Sequence, residues 1–398
     1  MNQTSKVYKF AFVVYFLFWA IPSGAATPEM KAHFIDVGQG ACALLEFPCG
    51  AVMIDTGAQD QEHVEHLVTY LTDVLDARPD LHKTLLTVFI THPHIDHAMG
   101  LKRIMDVCTV TNYVDDGITS GSGGSQVRWI RDKVNSGELK THIREVKDDE
   151  ITALPNKTGL TDDIIDPLKC DKCDPSIVVL SGGMPTNPGW SAKDYKNLNN
   201  QSLVIRVDFG PTSFLFTGDL QAPAIQTLVA YYRNTDRLDV NVWHVGHHGS
   251  YNATTEALLE AMTPEYAFIG VGHWNFGENS SSKFTTYAYG HPRKNVIDLL
   301  DEFIPDNRSK PIETKVFEAS QSPVDCKITK NIYATGWDGD IILTADQKGN
   351  IKVDTKSTDQ IFNKTDSAKN RKKSLPINKL TIKDLQEDSS PAYDSAEE

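Results

Sequence analysis

Residues 84–91, TLLTVFIT, form an apolar, β-branched run with the character of a buried strand, and the run leads directly into HPHIDH. His92 and His94 are two apart, where an extended chain sends alternate side chains to one side, and Asp96 and His97 follow at the turn into AMGLKRIMD. Four metal-capable groups therefore gather at one strand end. Neutral imidazoles and a carboxylate suit Zn²⁺, Mn²⁺ or Fe²⁺, and ligands divided between two directions suit two ions better than one. Three of the 13 histidines fall within six residues, which a merely polar loop does not explain.

The flanking pattern is that of a layered α/β domain. AHFIDVG and CALLEF read as strands, and AVMIDTG as a third that ends at Asp55. Residues 61–77 have helical spacing, with Val64, Leu67, Val68, Leu71 and Leu75 on one face; His63 and His66 lie off that stripe and are expected to face solvent. SLVIRVDF, TSFLFTGD and LDVNVWHVGHH are strands that end on polar or metal-capable residues, and no repeat of solenoid spacing is present. The Gly- and Ser-rich stretch 115–125 is expected to be a mobile loop, and 162–200, with its prolines and CDKC, a long irregular insertion.

Lys6 and Lys9 precede an apolar run over 10–21 and the small residues Ser23, Gly24, Ala25 and Ala26, the layout of a signal peptide spanning 1–26. The run is shorter than the roughly 20 residues that cross a bilayer. The expectation is a secreted or periplasmic protein with no stable membrane insertion after cleavage. The folded domain is expected over 27–353. A polar tail, 354–398, with a basic cluster at Lys369, Arg371, Lys372 and Lys373, is expected to be disordered. In an oxidising compartment some of the six cysteines should pair: Cys170 and Cys173 stand close together, Cys42 and Cys49 flank a strand, and no second close pair exists for a zinc knuckle. The spacing does not select a pairing. The net charge of −14 argues against non-specific gripping of nucleic acid by a basic surface, yet bound cations can supply positive charge locally. Asn156 and Asn252 begin N-x-T sequons.

The motifs FIDVGQG (34–40), IDTG (54–57), THPHIDHAMGL (91–101), NNQSLVIRV (199–207), FLFTGD (214–219), VGHHGS (245–250), YGHPRKNVIDLL (289–300) and IYATGWDGDI (332–341) occur in the order of one family. Over roughly 33–345 the chain resembles the metallo-β-lactamase-fold superfamily, and more narrowly the hydrolase domain of ComEC-type competence proteins and their free-standing relatives. The resemblance implies a four-layer αββα sandwich with the site at the edge between two sheets. It implies two divalent ions, Zn or Mn. His92 and His94 would bind the first ion, Asp96 and His97 the second; Asp219 would bridge them and His247 would complete the second site. Asp96 or His291 would assist proton transfer, with phosphate contact or ligation as other roles for His291. His248 would orient a ligand or touch substrate, and Asp36 and Asp55 would orient ligating histidines or stabilise turns.

Two departures stand out. Many superfamily members carry one more ligating histidine before the bridging aspartate, but here the only histidine in that interval is His142, which begins the strand-like HIREV. The first site thus looks one histidine short. The acidic residue common after GQG is Ala41. His33, His82, His244 and His273 receive no role. The implied activity is a phosphodiesterase or nuclease in which a metal-bound hydroxide attacks phosphorus, with a phosphodiester or nucleic acid as substrate. The same metals on a lactone, thioester or β-lactam are the alternative. A secreted binding protein with a decayed site is the alternative of another class.

Overall fold

A computed structural model describes residues 27–356. The expected signal peptide and the chain from 357 onward lie outside the described residues. Strands β1 (Glu29–Phe34), β2 (Cys42–Phe47), β3 (Gly50–Thr56), β4 (Thr84–Phe89), β5 (Thr109–Asp115) and β6 (His142–Glu145) come from the first part of the chain. β7 (Ser176–Ser181), β8 (Val204–Phe209), β9 (Thr212–Phe216), β10 (Val242–His244) and β11 (Tyr266–Ile269) follow. A hairpin of β12 (Asn307–Ala319) and β13 (Ser322–Lys330) precedes β14 (Ile332–Ala334), β15 (Asp340–Asp346) and β16 (Ile351–Lys356).

One sheet runs in the order β16-β15-β1-β2-β3-β4-β5-β6 and the other β14-β11-β10-β9-β8-β7. β3 through β6 are parallel, as are β9, β10, β11 and β14, so the C-terminal ends of β4, β9 and β10 can supply loops to one shared edge. The inner faces pack Phe34, Val52, Ile54 and Phe89 against Ile205, Val207, Phe214, Phe216 and Phe268. Phe34 stacks on Phe268 with centroids 4.2 Å apart. Each such buried side chain contributes about 1.5–3 kcal/mol by leaving water.

Helices cover both outer faces. α1 (Gln61–Ala77), capped by Asp60, whose carboxylate accepts from His63 N, lays Val64, Leu67, Leu71 and Leu75 on the first sheet beside α2 (Ile95–Ala98), α3 (Leu101–Ile104) and α4 (Gly124–Asn135). Helices Ala222–Tyr232, Glu256–Met262 and Lys294–Phe303 cover the second sheet through Ile225, Leu228, Leu258, Leu259, Ile297 and Leu300. The expected αββα sandwich is the architecture observed.

Several local expectations need correction. The folded domain does not end at Val353: β16 continues to Lys356, since its antiparallel ladder with β15 extends to the Asp340↔Lys356 pair. Local polarity hid an edge strand, whose outer face is solvated. Residues 176–181, expected to be irregular, form β7, whose Ile177 and Val179 enter the core. The 115–125 stretch is pinned: Gly123 N donates to Pro93 O, and Ile95 N to Ser122 Oγ. His63 is buried against Phe276, and His66 reaches Asp340 Oδ1 at 3.0 Å. Cys49, in the β2–β3 turn, is disulfide-bonded to Cys170 across 121 residues, which leaves Cys173 outside the bond. Among the described residues no helix is long and apolar enough to cross a membrane.

Candidate metal centre

The site is assembled from both sheets. β4 ends at Phe89 and its continuation carries Thr91, His92 and His94, with Asp96 and His97 in the first turn of α2. This loop passes so close to the end of β3 that a Cβ on Gly57 would lie 1.6 Å from Asp96 O, and Ala41 N donates to that same carbonyl at 2.9 Å. The glycine of IDTG is thus a packing requirement. Asp219 follows β9, and its backbone N donates to Ser202 Oγ. His247 and His248 follow β10, and the His291–Pro292 peptide, which is cis, brings His291 alongside.

Asp219 lies at the centre. Its Oδ1 is 3.1 Å from His97 Nε2, while its Oδ2 is 3.8 Å from His247 Nε2, 3.8 Å from His248 Nε2 and 3.9 Å from His92 Nε2. His92 Nε2 and His94 Nδ1 are 2.9 Å apart. Asp96 Oδ2 is 3.4 Å from His248 Nε2. The far side of three of the rings is held: His97 Nδ1 lies 2.8 Å from Asp55 Oδ2, His248 Nδ1 2.7 Å from Gly270 O, and His247 Nδ1 2.9 Å from Asn252 Oδ1. Imidazoles oriented in this way present a fixed nitrogen inward.

Four of these residues, Asp96, His97, Asp219 and His248, bring one ligand atom each within 4.8 Å of one another. Asp96 Oδ1, His97 Nε2, Asp219 Oδ1 and His248 Nε2 are buried and have no hydrogen-bond partner outside this group. Leaving such groups unmade is costly, and a divalent cation satisfies carboxylate oxygens and imidazole nitrogens together. The donor set fits the metal the fold implies. Burial would lower the pKa of His97, yet Asp219 and Asp55 hold it well above the usual histidine range. Burial would raise Asp96, but His248 and His97 hold it low; Asp219 is likewise depressed despite burial, by His97, His247 and His248. His92, burdened by burial and by His97 and His94, is pushed well down, which favours the neutral ligating form.

The structure brings together every residue expected as a ligand, His92, His94, Asp96, His97, Asp219 and His247. His248, expected behind the ligands, stands in the cluster with Asp96 and His97, and His247 lies outside that group of four. Consecutive left-handed residues send their rings to different sides, which periodicity does not describe. Asp55 does stand behind His97, an expected ligand. Asp36 does not: its Oδ1 accepts from Gly38 N and its own N donates to Asp340 Oδ1, a turn-stabilising role. His142 is exposed at the start of β6, away from the strand ends that carry the ligands. His244 packs against Phe34 and Phe216.

His291 is buried with Nε2 unbonded, and its ring stacks on Tyr289. Thr286 Oγ1 donates to Gln39 Oε1, and the Gln39 amide NH₂ faces His291 Nδ1 at 3.3 Å. Gln39, in the GQG motif, is a site contact that sequence reasoning missed. The motif marked the loop, but only the fold shows the partner 252 residues away.

Residues 35–273 match the model of the Metallo-beta-lactamase superfamily. ComE operon protein 3 of Bacillus subtilis is 26% identical over 296 residues, covering 72% of this chain and 32% of that protein. Recombination protein 2 of Haemophilus influenzae is 43% identical over 77 residues, 19% of this chain and 9% of its own length. The chain thus spans about a third or less of these relatives. Among solved structures, the metallo-beta-lactamase fold protein YhfI of Bacillus subtilis aligns with a TM-score of 0.37 at 10% identity, over 82% of this chain and all (100%) of that one.

Proposed function

The chain belongs to the metallo-β-lactamase superfamily of metal-dependent hydrolases, and from that premise we propose that it is an exported phosphodiesterase, with nucleic acid as the substrate class, working with two divalent ions, Zn or Mn. The observation that carries the dinuclear reading is Asp219, whose two oxygens face different histidines from a buried position between the sheets. Divalent ions held there by His92, His94, Asp96, His97, Asp219, His247 and His248 would supply Lewis acidity and make water a stronger acid.

The remaining chemistry belongs to the side chains. Gln39 presents its NH₂ to Nδ1 of His291, so the proton of the neutral ring sits on Nε2, the nitrogen without a partner. Burial, with His247, His248 and Arg293 nearby, keeps this ring neutral. His291 Nε2–H is therefore poised to donate to a leaving or non-bridging oxygen of the substrate. Asp96 stays ionised and ligating in this reading.

A relative named as a recombination protein supports nucleic acid over a lactam or lactone. The Cys49–Cys170 bond supports an oxidising compartment, and with it export. The test is a panel of phosphodiester, nucleic-acid, lactone, thioester and β-lactam substrates offered to Mn²⁺- or Zn²⁺-loaded protein. Cleavage of phosphodiesters that disappears in Asp219→Asn is expected. Turnover of the carbonyl substrates alone would sink the proposal, and no turnover with less than one bound ion would favour a binding protein.

A further inference from the structure

We propose that His247 supplies the ligand that the first metal site otherwise lacks, so that the adjacent histidines of GHHGS serve one ion each. The inference rests on the dinuclear reading above. It begins with backbone conformation: His247 (φ 49°, ψ 45°) and His248 (φ 54°, ψ 24°) are both left-handed. Such positions are uncommon for residues with a Cβ and persist at sites where the surrounding structure demands them. The result is two rings 6.3 Å apart and inclined at 62°, facing different neighbours. The ring of His248 lies 5.3 Å from His97, on the side of Asp96; that of His247 lies 5.7 Å from His291.

With His248 joined to Asp96 and His97, a second set of donors remains: His92 Nε2, His94 Nδ1, His247 Nε2 and the Oδ2 of Asp219. Metal–nitrogen bonds of 2.0–2.1 Å in a tetrahedron place ligand atoms about 3.3 Å apart. Of the edges of this set, His92 to His94 is 2.9 Å and Asp219 Oδ2 lies 3.8 Å from His247 and 3.9 Å from His92, the same oxygen being also 3.8 Å from His248 Nε2. Finally, His247 is prepared as ligands are. Asn252 Oδ1 accepts from Nδ1, which leaves the Nε2 lone pair directed inward. A side chain held only for packing would not need that polar partner.

The experiment is metal counting on the full chain, reconstituted with Mn²⁺ and freed of excess ion, with electron paramagnetic resonance to separate coupled pairs from isolated ions. Two equivalents and a coupled signal are expected for the wild type. His247→Gln and His248→Gln should each keep one equivalent with an isolated-ion spectrum, and the double variant should keep none. Asn252→Ala should weaken one ion by about 10–100-fold, and Asn252→Asp should restore it. Circular dichroism and unfolding of the metal-free proteins separate lost ligation from lost folding; should His247→Gln misfold, the Asn252 pair still decides. Two tightly held equivalents in folded His247→Gln, or one in the double variant, would overturn the assignment while leaving the dinuclear reading intact. A wild type that binds a single ion would overturn both.

Discussion

Asp55 stands directly behind His97: its Oδ2 is 2.8 Å from His97 Nδ1, and its two oxygens also accept from Thr91 N and Thr91 Oγ1. One carboxylate thus fixes both the ring and the strand end that presents it. In Asp55→Ala, ion affinity should fall about 10–100-fold, and an unsatisfied Thr91 N–H should cost about 1–3 kcal/mol. Isothermal titration with Mn²⁺ and denaturant unfolding of the metal-free chain measure the two effects separately.

His291 and Gln39 should act on turnover and not on metal content. His291→Ala is expected to lower kcat by about 10²–10⁴-fold with bound ion unchanged, and Gln39→Leu to lower it less, by releasing the tautomer. Loss of an ion in either variant would instead make His291 a ligand.

Loading should be proton-coupled. Although burial opposes it, the Asp219–His97–Asp55 arrangement keeps a proton on His97 at neutral pH, and an incoming cation must displace it. Affinity should rise about tenfold per pH unit for as long as that proton remains. Titrations in buffers of different ionisation enthalpy would report its release as a buffer-dependent heat.

The Asp36 carboxyl gives stability a separate pH dependence. Burial raises it to about 6, His63 partly offsets this, and Asp340 adds to it. Between the unfolded value of 3.8 and about 6 the folded chain holds the extra proton, so this contribution is complete below the first value and lost by the second. The loss is of order 3 kcal/mol. Asp36→Asn, which keeps an acceptor for Gly38 N, should match wild type at pH 4 and be the more stable at pH 8 in urea unfolding.

Cys49→Ser or Cys170→Ser should reduce stability by about 2–5 kcal/mol, because the bond closes a loop of 121 residues. Metal stoichiometry should be unaffected, since the bond lies at the β2–β3 turn and the ligands follow the opposite ends of their strands. Reductant should reproduce the effect in the wild type.

What the sequence made legible was what local pattern encodes. A buried strand running into HPHIDH, and TGD after another, marked His92, His94, Asp96, His97 and Asp219. The four layers followed from motif order. Backbone handedness was not legible: His247 was expected as the second-site ligand with His248 behind it, and positive φ at both residues turns their rings to different sides. Nor were long-range partners, such as Cys170 for Cys49 or His291 for Gln39, because the same residue types sat in the same loops with other candidates nearby. β16 hid for a simpler reason. An edge strand with one wet face has the composition of a tail.

The candidate metal centre spans a seam, with Asp55 in β3 and His92 to His97 after β4 of one sheet, and Asp219 after β9 and His247 and His248 after β10 of the other. Ion occupancy and closure of the sandwich are therefore linked. Each tenfold of free metal above the dissociation constant adds about 1.4 kcal/mol per ion to the folded state. A chelator would then act on this protein as a denaturant does, and in metal-poor surroundings the chain would lose resistance to proteolysis together with its activity.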